Sequence, residues 1–241
     1  MPSWITDLWR TATSPQPAPS AAVVLGTAAA ALLLLGVPTA WRALRHLVTI
    51  VHEAGHATVA VLAGRKLSGI RVHSDTSGLT TSRGAPRGPG MVLTLAAGYP
   101  APAILGVGVA ALVARGYAVG ALWLLLVLLA LVLVQIRNLY GLWAVLATAA
   151  VLVGITGWAP VTWQVAAGHL AAWVLLLGAP RAVLEVASSR RGRRHDGSDP
   201  GQLAMLTHVP GGLWVLLFGL VTVGAAVLAG RWLLVGSHLI G

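Results

Sequence analysis

Long apolar runs separated by short polar connections constrain the fold of this chain more than any other feature. Each run has about the 20 residues that a helix needs to cross the hydrocarbon core of a bilayer. Across the whole sequence, 57% of the residues are hydrophobic and only 9% are charged. That balance excludes an ordinary soluble domain. We therefore expect an all-α polytopic membrane protein with about six or seven transmembrane helices.

The apolar runs follow a polar, proline-rich tail at residues 1–20 and predict a single integral membrane domain over residues 21–241. The third and the last run contain Gly and Pro, at residues 98–102 and 210–212, where a membrane helix is expected to kink. With seven crossings, the approximate bounds of the runs are 21–41, 46–64, 91–114, 118–136, 139–155, 161–179 and 202–229.

A short β-hairpin is predicted between residues 67 and 90, directly after the second run. Ile70 and Val72 alternate with Arg71 and His73, a pattern typical of a strand with one buried face. A Ser-Gly turn and a second β-prone segment follow. If this strand lies at the edge of the hairpin, Ile70 and Val72 can pair with an extended segment of a substrate.

The basic residues that give the net charge of +10 are divided unequally between the two sides of the membrane. With seven crossings, twelve of the 16 Lys and Arg residues fall on one side and four on the other. The positive-inside rule then places the N-terminus, the hairpin and an arginine-rich loop at residues 181–200 in the cytoplasm. No basic segment carries the interleaved aromatic residues of a nucleic-acid interface, so we expect no nucleic-acid partner.

The second run contains the sequence His-Glu-Ala-Gly-His, from His52 to His56. Two histidines four residues apart lie one turn apart on the same face of a helix, so both imidazoles can reach a single Zn²⁺. Glu53 then lies beside the metal as a general base. The alternative is a helix in which His and Glu only hydrogen-bond one another. Because an uncompensated Glu inside the membrane costs a few kcal/mol, the pattern favours a metal site.

A catalytic zinc site needs a third protein ligand, and this chain has no cysteine and only six acidic residues. Asp196 and Asp199 precede the last run, on the side toward which the second run extends. Asp199 is followed by Pro200, which also suits a helix start with Asp199 as the N-cap. Ligation and capping are therefore both open for Asp199.

Asn138 follows Arg137 in the connection after the fourth run, and it has two interpretations. Its amide can polarise a substrate carbonyl or line the site. The simpler interpretation is a polar pair at a helix end.

These features together resemble the site-2 protease class of intramembrane zinc metallopeptidases, peptidase family M50, and most closely its compact bacterial M50B-like branch. The resemblance covers about residues 40–230, and it is carried by the His-Glu-Ala-Gly-His helix, the hairpin, the interrupted third run and the late aspartate. It implies that His52 and His56 bind Zn²⁺ and that Glu53 activates water. A bacterial cell membrane is the expected location.

The resemblance also ranks the remaining candidates. The segment at residues 198–204 is similar to an Asp-containing motif of the branch, which favours Asp199 as the third ligand, with Asp196 as its rival. The wider family's Asn-Pro…Asp-Gly pattern is absent. The family's substrate-bordering hairpin and third span correspond here to residues 69–82 and 98–102, which makes Gly98 and Pro100 candidates for substrate contact.

We therefore expect a zinc metalloendopeptidase that hydrolyses peptide bonds of membrane-embedded protein substrates, with the lipid bilayer as its surroundings. One alternative is a non-catalytic membrane scaffold or binding protein of the same fold, which would not need Glu53. Another is a metal transporter, which would need several ligating side chains stacked along its spans, whereas the sequence shows a single cluster.

Overall fold

The computed structural model describes residues 3–190 and 197–235, apart from the side chains of residues 3–5 and 235. Within these ranges the chain is mostly α-helical, with one two-stranded antiparallel sheet. The elements, in chain order, are α1 Ser3–Thr13, α2 Ala21–Gly36, α3 Pro38–Leu62, β1 Lys66–Val72, β2 Gly78–Arg83, α4 Pro89–Ala96, α5 Pro100–Ala114, α6 Ala118–Gln135, α7 Leu139–Trp158, α8 Val161–Ser189, α9 Asp199–Thr207 and α10 Gly211–Val235.

The helices confirm a multi-pass membrane protein. In the described ranges, four helices (α6, α7, α8 and α10) are long and apolar enough to cross a bilayer. The count rises to six if the bent pairs α2–α3 and α4–α5 each form one broken span. Six lies within the predicted six or seven crossings, whereas the assignment of sides, which uses seven, stays a prediction.

The difference from seven arises at the junction of α2 and α3, where the axes of the two helices meet at 102°. The predicted runs at 21–41 and 46–64 place the connection at residues 42–45, whereas in the structure the two helices are separated at Val37. Pro38 has no N–H to continue α2, and a residue before proline is driven into an extended conformation. Pro38 therefore ends α2 and begins α3.

The elbow between α2 and α3 is fixed from α8 by Glu185. The Trp41 indole N–H donates to Glu185 Oε1 at 2.5 Å, and Arg45 Nε lies 3.1 Å from Glu185 Oε2. The guanidinium of Arg181 lies 4.6 Å from the centre of the Trp41 ring and donates to the Leu35 carbonyl at the end of α2. This polar cluster links α2, α3 and α8 at the elbow.

The central bundle consists of α2, α5, α8 and α10. Lipid tails are as apolar as the helices, so helix association in a membrane depends on close packing of small residues. A Cβ on Gly106 of α5 would lie 3.1 Å from the Leu175 and Leu176 side chains of α8. Ala110 and Ala172 are fully buried in the same core. The bundle forms a rigid support against which α3 packs.

Two segments are more ordered than the sequence predicts. The expected tail at residues 1–20 contains α1, and the Gln16 side chain anchors the segment after it by accepting a hydrogen bond from the Val119 N–H. The apolar residues of α1 recur at helical spacing, although residues 1–20 are polar and rich in proline overall. The loop expected at 181–200 is shorter, because α8 continues through Pro180 to Ser189.

The predicted hairpin is present, and β1 is its covered strand. Ile70 of β1 pairs with Thr80 of β2, and on its other side the Ile70 carbonyl accepts a hydrogen bond from the Arg137 N–H. Within the described residues β2 pairs only with β1. The hairpin packs on α3, where Thr49 donates to the Thr76 carbonyl at 2.8 Å.

Candidate metal centre

Three side chains from two distant parts of the chain converge at the centre of the protein. Asp199 Oδ2 lies 3.2 Å from His52 Nε2 and 3.2 Å from His56 Nε2, and the two Nε2 atoms are 3.0 Å apart. Ligand atoms bound about 2.0–2.1 Å from a tetrahedral Zn²⁺ lie about 3.3 Å from one another. The three atoms thus form a nearly equilateral triangle of the size of one face of a zinc tetrahedron.

The histidines come from α3 and the aspartate from the first turn of α9. His52 and His56 occupy one face of α3 because they are one helical turn apart. The N-cap of α9 is Ser198, so Asp199 is the first residue of the helix and its carboxylate faces the imidazoles. Asp199 is therefore not the N-cap of α9, which was the alternative role for this residue. The rival Asp196 lies outside the described residues.

Apolar packing holds α9 in place. Leu203, one turn after Asp199, is fully buried against Leu95 of α4 and Phe218 of α10. Asp199 and Leu203 share one face of α9, so burial of the leucine turns the carboxylate toward α3. This contact joins elements more than 100 residues apart, which explains why the sequence left two aspartates open.

The Asp199 carboxyl is well suited to bind a cation. Burial raises its pKa, but the neighbouring imidazoles of His56 and His52 outweigh burial, so the pKa lies below the ordinary value of the group. Two imidazoles and an ionised carboxylate make a nitrogen-and-oxygen donor set of the kind that binds Zn²⁺ in proteins.

The break between α4 and α5 covers the histidines. A Cβ on Gly98 would lie 2.5 Å from His56 Nε2 and 2.6 Å from His52 Cε1, so only glycine fits against both rings. The Tyr99 ring contacts His52 edge-on at 4.7 Å and stacks on Phe218 at 5.4 Å. Gly98 is thus a packing residue of the metal centre, while Pro100 begins α5 and ends the break.

Glu53 lies on α3 between the two histidines and is enclosed by the hairpin. It is only 4% exposed, and its Oε2 accepts a hydrogen bond from the Thr80 hydroxyl at 2.7 Å. Gly78 of β2 lies directly against the carboxylate, since any Cβ there would collide with it. Gly55, on the same turn of α3, lets Ala101 of α5 approach closely.

Three expected substrate-contacting residues have other positions. The side chains of Ile70 and Val72 are 1% and 0% exposed and belong to the core between α3 and α7. The Asn138 amide binds both the N–H and the C=O of Val72, at 3.2 and 2.7 Å. The prediction that β1 offers a free edge is therefore wrong, because the connection between α6 and α7 occupies that edge.

Sequence reasoning missed Thr80, Gly78, Thr94 and Tyr99, all of which contact the histidines or Glu53. The alternation of the return strand does place Gly78 and Thr80 on one face. Nothing in the sequence indicates that this face meets Glu53.

A protein-family model described as Peptidase M50B-like matches residues 25–229 of this chain. Comparisons with curated proteins and with solved structures found no match.

Proposed function

The chain belongs to the M50B-like peptidase family, and from this premise we propose that it is an intramembrane zinc metalloendopeptidase. The observation that carries the proposal is the triangle formed by His52 Nε2, His56 Nε2 and Asp199 Oδ2. Glu53 is adjacent to the first histidine on the same helix. Its substrates would be membrane-embedded proteins, and its setting a bacterial cell membrane.

The residues of the triangle would hold Zn²⁺ through these three atoms. Zn²⁺ held there would supply Lewis-acid chemistry, by which the pKa of a water molecule would be lowered and the scissile carbonyl polarised. Glu53 accepts the proton of the attacking water and passes it to the nitrogen of the leaving amine. The His56 ring supports this arrangement because its Nδ1–H donates to the Thr94 carbonyl, which leaves Nε2 free as a ligand.

Among the described residues, the edge of the hairpin without a pairing partner is the outer edge of β2. The C=O of Ile70 and the backbone of Val72 bind residues 137–138, so both point away from β2. In an antiparallel pair, opposite residues either exchange hydrogen bonds or both point outward. Their partners Thr80 and Gly78 therefore direct their N–H and C=O groups to the outer edge of β2. We propose that an extended substrate segment pairs there.

Neither rival function has an observation in its favour. A metal transporter would need further ligating groups, whereas the described residues contain one group of three metal-ligating side chains. A scaffold protein would have no need of a buried Glu53 next to His52 in the sequence.

Cleavage by wild type and by Glu53→Gln distinguishes an enzyme from a scaffold. The probe is a pool of internally quenched hydrophobic peptides in detergent micelles. We expect cleavage by wild type and loss of at least about 100-fold in rate for Glu53→Gln, as for removal of a general base. Equal rates for the two proteins would contradict the proposed function.

A further inference from the structure

The Glu53 carboxylate accepts a hydrogen bond from β2 and not from α3, the helix that carries it. The Thr80 hydroxyl of β2 lies 2.7 Å from Glu53 Oε2 and 3.0 Å from the Glu53 carbonyl oxygen. A hydroxyl has one proton to donate, and the shorter of the two contacts, the one to Oε2, is the one that would orient the carboxylate. The other oxygen, Oε1, accepts none of the hydrogen bonds found among the described residues.

The other side of the carboxylate is bounded by Gly78. This glycine is two residues before Thr80, so both face α3 from the same side of β2. A side chain on Gly78 would collide with the carboxylate. The Thr80 hydroxyl thus holds Oε2 of Glu53. Gly78 has no side chain, and this leaves room for Oε1.

We propose that Thr80 is a positioning residue for Glu53 and that it couples substrate docking to the orientation of the base. This inference rests on the proposed function. The backbone N–H and C=O of Thr80 lie on the free edge of β2, while its hydroxyl binds Glu53. A substrate strand that pairs with this edge is therefore placed in register with the carboxylate by a single residue. A displacement of about 1 Å at a reacting group can cost about 100-fold in rate, so such coupling matters.

A purely structural role for Thr80 is the alternative, because its hydroxyl also fastens the hairpin to α3. The hairpin has a second fastening of the same kind, the hydrogen bond from the Thr49 hydroxyl to the Thr76 carbonyl. Thr49 is one turn before Glu53 on α3, and its hydroxyl binds backbone only. Removal of the Thr49 hydroxyl therefore tests hairpin docking, and removal of the Thr80 hydroxyl tests the base as well.

Four full-length proteins test the inference: wild type, Thr80→Val, Thr80→Ser and Thr49→Val, with Glu53→Gln measured alongside. The probe is the peptide that wild type cleaves fastest in the quenched pool. We expect kcat to fall at least about tenfold in Thr80→Val, with KM and zinc content unchanged. Thr80→Ser, which keeps the hydroxyl, should restore kcat to within about threefold of wild type, and Thr49→Val should lie in the same range.

The outcomes separate this inference from the proposed function. If Glu53→Gln is as active as wild type, the proposed function fails and Thr80 has no base to position. If Glu53→Gln is inactive but Thr80→Val keeps the wild-type kcat, the positioning role alone is overturned. The same holds if Thr80→Ser is as slow as Thr80→Val, or if Thr80→Val loses zinc, since the methyl group or the fold would then be responsible.

Discussion

The Nδ1 atom of His56 lies 2.6 Å from the carbonyl oxygen of Thr94. A carbonyl only accepts, so Nδ1 carries a proton, and in the neutral ring that a metal ligand requires Nε2 keeps its lone pair toward His52 and Asp199. This bond links the histidine helix α3 to α4, the helix that precedes the break at residues 97–99. The candidate metal centre therefore depends on the third apolar run as well as on the helix that carries the histidines.

The first prediction concerns Gly98. In Gly98→Ala the new Cβ meets both imidazoles, so the rings must shift and zinc affinity should fall at least about tenfold, as for loss of supporting contacts around a metal. Competition with a chromophoric chelator measures the affinity. The matched control is Gly108→Ala on α5, where a Cβ meets nothing within 4 Å. Wild-type affinity in Gly98→Ala would contradict the close packing described here.

The second prediction concerns the free edge of β2. The alternation that turns the backbone of Thr80 outward also turns Ser82 outward, so proline at 82 removes an edge N–H without breaking the pairing with β1. Ser82→Pro should lose peptide cleavage and retain zinc. Ser82→Ala is the control, because it loses the hydrogen bond from Arg65 but keeps the N–H. Full cleavage by Ser82→Pro would exclude substrate pairing at this edge.

The third prediction concerns Asn138, which holds β1 rather than a substrate. Asn138→Ala removes two hydrogen bonds to the Val72 backbone and should cost about 1–3 kcal/mol in local stability of the hairpin. Amide hydrogen exchange should quicken in residues 66–72, while exchange in the interior of α8 stays unchanged. A loss of cleavage with unchanged exchange in the hairpin would instead indicate direct contact between Asn138 and substrate.

The fourth prediction concerns the elbow between α2 and α3. Glu185→Ala leaves Trp41 and Arg45 without their partner and should lower the free energy of unfolding by about 1–3 kcal/mol. Thermal unfolding in detergent measures the change. Asp7→Asn is the control, since Asp7 makes an exposed ion pair with Arg10 and such pairs contribute little. Equal unfolding temperatures for wild type and Glu185→Ala would show that the cluster does not stabilise the elbow.

The sequence predicted those parts of the site that depend on local spacing. His52, Glu53 and His56 lie within five consecutive residues of one helix, so their proximity follows from helical geometry. The helical character of the chain, the hairpin and the kink at residues 98–102 follow in the same way from apolar length, alternation and proline. Zinc ligation itself stays a prediction.

The remaining parts depend on tertiary contacts that no local pattern specifies. Asp199 is brought to the histidines by the burial of Leu203 against α4 and α10. Thr80 meets Glu53 only because β2 packs on α3 in one register. Pro38 is a local signal for the elbow, and with α2 and α3 taken as one broken span the upper count is six, which lies within the predicted six or seven.

The cytoplasmic assignment also stays a prediction. It depends on seven crossings and on the arginines at 191, 193 and 194, which lie outside the described residues. Cysteine labelling at an introduced site in the turn of the hairpin, from either side of the membrane, would measure the sidedness directly.

The zinc content of three purified proteins tests the central claim most directly. Wild type, His56→Ala and Asp199→Asn are measured by mass spectrometry of the metal after removal of loosely bound ions. The geometry of the triangle predicts about one zinc per chain in wild type and a loss of most of it in both variants, as expected when one of three protein ligands is removed. A full complement of zinc in Asp199→Asn, or no zinc in wild type, would contradict a centre built from His52, His56 and Asp199.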